Sequence, residues 1–92
     1  MTTSIDIEFR DRYGLHPRAA MRIQQAAAGF TSRVTIRGQG GSGAAVDARS
    51  MISLVSAGIR QNEAIRVTAE GDDEAATLTA LRGLIEGGVC HP

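Results

Sequence analysis

Three stretches of this chain alternate apolar and polar residues, and the segments between them switch to a helical period. Ser4 to Arg10 sets Ile5, Ile7 and Phe9 against Asp6, Glu8 and Arg10. Ser32 to Arg37 turns Val34 and Ile36 inward, and Glu63 to Glu70 does the same with Ile65, Val67 and Ala69. Each reads as a half-buried strand. From Pro17 to about Gly29, Ala20, Ile23, Ala27 and Phe30 recur at helical spacing, with Arg22, Gln24 and Gln25 on the other face. Gly29 is placed to end that helix. A short strand, Ala44 to Ala48, centres on Val46 and follows the run Gly38-Gln39-Gly40-Gly41-Ser42-Gly43, which makes a hairpin with the strand before it. Ser50 precedes Met51, Ile52, Leu54 and Val55, and Gly58 closes a short helix with Ser50 at or near its N-cap. Gly71-Asp72-Asp73-Glu74 is an acid-rich helix start, and Ala75, Leu78, Leu81 and Ile85 carry the helical period to Gly87-Gly88. The order β-α-β-β-α-β-α predicts an α+β open-faced β-sandwich: a four-stranded, mainly antiparallel sheet with three helices on one face.

Ninety-two residues suffice for one small core. The expected domain is 1–88, with 89–92 as a short frayed tail. Ten basic residues balance ten acidic ones, which argues against nucleic-acid or membrane-surface binding. Every basic residue is arginine, a bias that weakens any single arginine as a sign of bidentate recognition. No apolar run approaches the ~20 residues of a membrane span, and one cysteine excludes an intrachain disulfide. A cytoplasmic protein is expected.

The chemistry concentrates in Gly14-Leu15-His16-Pro17-Arg18-Ala19-Ala20. Proline is favoured at the first helical position, so His16 falls at the helix start. A helix start offers unpaired amides and partial positive charge, a ready anion site. His16 could hold a phosphoryl group there, with Arg18 as a charged clamp; the plainer reading is a histidine that only caps the helix. Gly14 allows a tight backbone approach, and Leu15 anchors the loop with the imidazole outward. Positive potential from the helix and Arg18 favours a neutral, nucleophilic ring and then the anionic product.

Other motifs carry less. Gly38-x-Gly40-x-x-Gly43 matches a dinucleotide fingerprint literally, but that fingerprint needs a helix opening at its last glycine, and here a strand follows. Cys90 and His91 lack the further ligands of a zinc site. Ser50, near Asp47 and Arg49, has no nucleophile-elbow pattern around it, and its plain reading is an N-cap.

Two motifs together resemble HPr, the histidine-containing phosphocarrier family of the bacterial sugar phosphotransferase system. One is Gly14 to Ala20, against a family pattern Gly-Leu-His-Ala-Arg-Pro-Ala; the other is Ala48-Arg49-Ser50-Met51-Ile52-Ser53-Leu54-Val55-Ser56-Ala57-Gly58. The resemblance covers nearly the whole length. It implies a phosphocarrier rather than a stand-alone enzyme, with no metal or cofactor of its own. By it, His16 accepts the phosphoryl group through Nδ1 and Arg18 contacts that group. Ser50 corresponds to a serine phosphorylated by a dedicated kinase in many Gram-positive members, and Met51, Ile52 and Val55 belong to an apolar docking patch. The implied partners are enzyme I, enzyme II A domains and, in the regulated branch, a serine kinase and a transcription regulator. The protein itself is expected to be a monomer.

One departure stands out. The family's proline follows the arginine, whereas Pro17 precedes Arg18. Pro17 removes one backbone donor, while Ala19 supplies an amide where the family has proline, so the donors of the anion site are shifted. Two readings therefore stand beside each other: a carrier in sugar uptake, and an HPr-like regulatory module of carbon or nitrogen control with little carrier flux. A third, hydrolytic use of His16 and Ser50 lacks a nameable oxyanion site.

Overall fold

The structure, a computed structural model, describes residues 2–38 and 45–89. Along the chain run β1 (Thr2–Phe9), α1 (Pro17–Ala28), β2 (Arg33–Gly38), β3 (Val46–Asp47), α2 (Met51–Ser56), β4 (Glu63–Glu70) and α3 (Glu74–Glu86). The strands form one antiparallel sheet in the order β1-β4-β2-β3. This is the expected α+β open-faced architecture.

Register explains why alternation at the sequence level becomes a core. Ile5 pairs with Val67, Val67 with Ile36, and Ile36 with Val46, so one apolar row crosses all four strands. Ile7 opposite Ile65, and Ala69 opposite Val34, extend the same face. Residues one step away point to the other face: Ser4 and Thr68 are partners there, with their hydroxyl oxygens 2.8 Å apart. The helices close the apolar face. Ala19, Ala20, Ile23 and Ala27 of α1, Leu54 of α2, and Leu78, Leu81 and Ile85 of α3 are buried with Phe9, Ile36 and Ile65. Side chains the size of Ile23 or Leu81, fully buried, contribute roughly 1.5–3 kcal/mol each.

Four details differ from expectation. Strand β3 is only two residues long, because Asp47 ends it: its carboxylate accepts the Arg49 amide at 2.8 Å and its carbonyl accepts the Ser50 amide at 3.0 Å. In α3, Ala75 is exposed and Thr77 takes the inward place. A hydroxyl is tolerated there because it donates to the Asp73 carbonyl at 2.8 Å. Val89, expected in a frayed tail, is buried in the core at 4% exposure. Phe30 is only half-buried. The turn at Gly40 and Gly43 and the tail residues Cys90 and His91 lie outside the described residues.

One polar clamp ties the start of α3 to the start of β2. The Asp73 carboxylate accepts the Thr31 and Ser32 amides, each at 2.9 Å, and the Ser32 hydroxyl. These donors lower its pKa from the ordinary 3.8 to about 2, the Ser32 hydroxyl first and the Thr31 amide next. Gly71, with φ +152°, leaves the room this needs, since a Cβ there would lie 2.8 Å from the Ser32 Cα.

Candidate functional site

The loop between β1 and α1 is built on Asp11. Its Oδ1 accepts the Tyr13 amide at 3.0 Å and its carbonyl accepts the Gly14 amide at 3.0 Å, an Asx turn inside a tight turn. Gly14 then runs at φ +72° against the chain before β4, where a Cβ would stand 2.7 Å from the Ile59 carbonyl oxygen. Only glycine accepts both that dihedral and that approach. The next residue completes the anchor: the Leu15 amide donates to the same Ile59 carbonyl at 2.9 Å, and its side chain enters the core at 5% exposure.

His16 is therefore delivered to the N-cap of α1 with extended backbone, φ −85° and ψ 171°, and Pro17 opens the helix. Ala20 is the first amide to bond back, to the His16 carbonyl at 2.9 Å. The Arg18 and Ala19 amides precede that ladder, and no side chain of the cap residue bonds them. The helix start thus carries the partial positive charge expected of it, and the exposed Arg18 adds a full one. An anion set against these donors would be stabilised by both.

The imidazole is not simply turned outward. Its Nε2 is buried and lies 3.4 Å from Oδ1 of Asp11, a carboxylate with no exposure, whereas the His16 side chain as a whole is 22% exposed. The exposure accordingly belongs to the other atoms of the side chain. Tyr13 meets the imidazole edge-on, with ring centroids 6.3 Å apart at 75°, while remaining largely in solvent.

Ser50 caps α2 as its plain reading requires. Its oxygen accepts the Ser53 amide at 3.3 Å and its hydroxyl donates to the Ser53 Oγ at 3.0 Å. The turn before it is fastened to α1 and its C-terminal end: Gln24 Nε2 donates to the Arg49 carbonyl at 3.0 Å, and Arg49 Nη2 to the Phe30 carbonyl at 2.6 Å. Beyond Ser50, α2 exposes Ile52 at 82% and Val55 at 38%. Met51, Ile52, Val55 and Ser56 line a shallow, mainly apolar hollow of about 300 Å³. Met21 on α1 is also exposed, at 41%.

The structure thus brings His16 and Arg18 together at one helix start, and Ser50, Met51, Ile52 and Val55 together on a second helix packed against the first. Sequence reading did not single out Asp11, Tyr13 or Met21. An aspartate opening a short loop that ends in glycine is an Asx-turn signature, which was the available signal for Asp11. Nothing in the local pattern shows that its carboxylate meets the imidazole. Among the described residues no helix is long and apolar enough to cross a membrane.

Comparison with known proteins covers the same elements. Residues 3–87 match the family described as PTS HPr component phosphorylation site. The chain is 35% identical, over 82 residues, to the phosphocarrier protein HPr of Mycoplasma pneumoniae, covering 89% of this chain and 91% of that one. It is 37% identical over 73 residues, 79% of its length, to a multiphosphoryl transfer protein of Xanthomonas campestris, of which it spans only 8%. Among solved structures, HPr-C-His of Thermoanaerobacter tengcongensis aligns with a TM-score of 0.83 at 33% identity, covering 92% of each chain.

Proposed function

This chain belongs to the HPr family of the phosphotransferase system, and on that premise we propose that it receives a phosphoryl group on His16 from enzyme I and passes it to enzyme II A domains. The observation that carries this reading is the placement of His16 at the N-cap of α1, with Nε2 buried, the side chain partly exposed, and the Arg18 and Ala19 amides ahead of the helical ladder. The other ring nitrogen, Nδ1, attacks phosphorus as the bond to the donor breaks, and the bonding pair returns to the donor. The helix amides and the Arg18 guanidinium then face the phosphoryl oxygens. Positioning and charge do the work, as phosphoryl transfer requires. Pro17 removes one amide from the first turn, and the Ala19 amide offers another, so the anion contacts move by one residue rather than disappear.

The apolar hollow on α2 supports a docking role for Met51, Ile52 and Val55. Exposed apolar surface beside a polar reactive centre suits brief encounters with several partners. Ser50 sits at the edge of that surface. A phosphate on its oxygen would face the start of α2, where negative charge is favoured, and would set a dianion against the apolar patch. That is the means by which a serine kinase would alter docking, and it is the observation that favours a regulatory use of the same fold.

The carrier reading is tested by incubation with phosphoenolpyruvate and a matching enzyme I. The expected product is an acid-labile, base-stable phosphoryl adduct that His16→Ala abolishes. Absence of any adduct on the folded wild-type protein, or its survival in His16→Ala, overturns the reading.

A further inference from the structure

We infer that Asp11 is a positioning residue for His16, holding the ring proton on Nε2 so that Nδ1 presents its lone pair. The inference rests on the carrier reading above for its consequence, though not for its geometry. Asp11 is fully buried, and a buried carboxylate needs hydrogen-bond donors around it. One donor is the Tyr13 amide at 3.0 Å from Oδ1; the same oxygen faces the buried Nε2 of His16 at 3.4 Å. A neutral imidazole carries one N–H and one lone pair, and an ionised carboxylate can only accept. With the proton on Nδ1, the lone pairs of Nε2 and Oδ1 would face each other away from water. With the proton on Nε2, the pair is complementary and the free lone pair lies on Nδ1. The loop allows no easy escape from this choice. Gly14 and Leu15 pin it to Ile59, and Pro17 fixes the backbone just after the ring.

The carboxylate has a second effect during transfer. When Nδ1 forms its bond to phosphorus and the donor bond breaks, the ring holds both Nε2–H and the new N–P bond and becomes positively charged. Asp11 lies beside the nitrogen that keeps its proton, so it offsets that charge without taking the proton. When the N–P bond breaks toward an acceptor, the electron pair returns to Nδ1 and the starting state is restored. No proton leaves the site in either direction. The arrangement parallels the general use of a carboxylate to orient and tune a histidine from its far nitrogen.

The test separates this role from shaping of the loop alone. Asp11→Asn keeps an oxygen acceptor for the Tyr13 amide but removes the charge. Asp11→Ala removes the acceptor as well. Nitrogen-15 NMR of the imidazole should show His16 of the wild type as the Nε2–H tautomer and Asp11→Ala as a mixture, and enzyme I-dependent phosphorylation should slow by roughly tenfold or more in both variants. A wild-type ring protonated at Nδ1 overturns the inference, even if the variants fail to fold. So does a folded Asp11→Ala protein with unchanged tautomer, or a folded Asp11→Asn protein phosphorylated at an unchanged rate. If the wild type takes no phosphoryl group yet shows the tautomer preference and its loss in Asp11→Ala, the carrier reading falls and the role of Asp11 stands.

Discussion

The Ser50 oxygen accepts the Ser53 amide, and under the proposed regulatory use it is also the atom that a serine kinase would modify. The cap is worth about 1 kcal/mol in comparable helices. Ser50→Ala should therefore lower unfolding stability by about that amount in urea titration, and should take no label from a serine kinase and ATP. Label retained in Ser50→Ala would refute the assignment. Capping at Ser50 and the helix start at His16-Pro17 are both local rules, which is why each was visible in the sequence. Asp11 obeys a local rule too, the Asx turn, but its contact with Nε2 depends on how the His16 ring is turned after the loop closes on Ile59. That closing contact joins residues far apart in the chain, and no spacing pattern near His16 encodes it.

At the level of elements, the start of α3 illustrates the same limit. Its acidic run was readable as a helix start, and Asp73 is indeed the N-cap residue. Yet its carboxylate does not cap its own helix; it reaches across to Thr31 and Ser32 and ties two elements together. The folded carboxyl has a pKa near 2, below the ordinary 3.8, so the ionised form is the one the fold favours. Its stabilisation is complete above the higher value and is lost as pH falls through the lower one. Thermal midpoints measured between about pH 4 and pH 2 should fall less steeply in Asp73→Asn than in wild type. At neutral pH the variant should melt at the lower temperature; equal slopes in the two proteins would show that the clamp does not control acid stability. The phase of α3 was also partly hidden. Thr77 is polar by composition and inward by position, because its hydroxyl finds the Asp73 carbonyl, and Ala75 is displaced to the surface in consequence.

For the molecule as a whole, the element order was readable from the switches in period, while the strand order was not. Alternation identifies a strand and its buried face, but it does not say that β4 lies between β1 and β2. The surface follows from the same layout: with the sheet and helices closed on one core, Ile52 has no inward duty and stands 82% exposed. Ile52→Glu should leave stability within about 0.5 kcal/mol of wild type, as for other exposed positions. Its KM as a substrate of enzyme I should rise by about tenfold, the scale of losing one apolar anchor at an interface. An unchanged KM would remove α2 from the docking surface. The central position of β4 reaches further than the static arrangement. Most of the partners of β1 and β2 arrive only when β4 is present, and the loop bearing His16 leans on Ile59 just ahead of it. Pairings of this kind join residues far apart in the chain, and closing such loops is slow. A growing chain that has left the ribosome only as far as α1 holds His16 but has no surface to set its loop against. The setting of His16 thus arises only once β4 has been made, together with the fold.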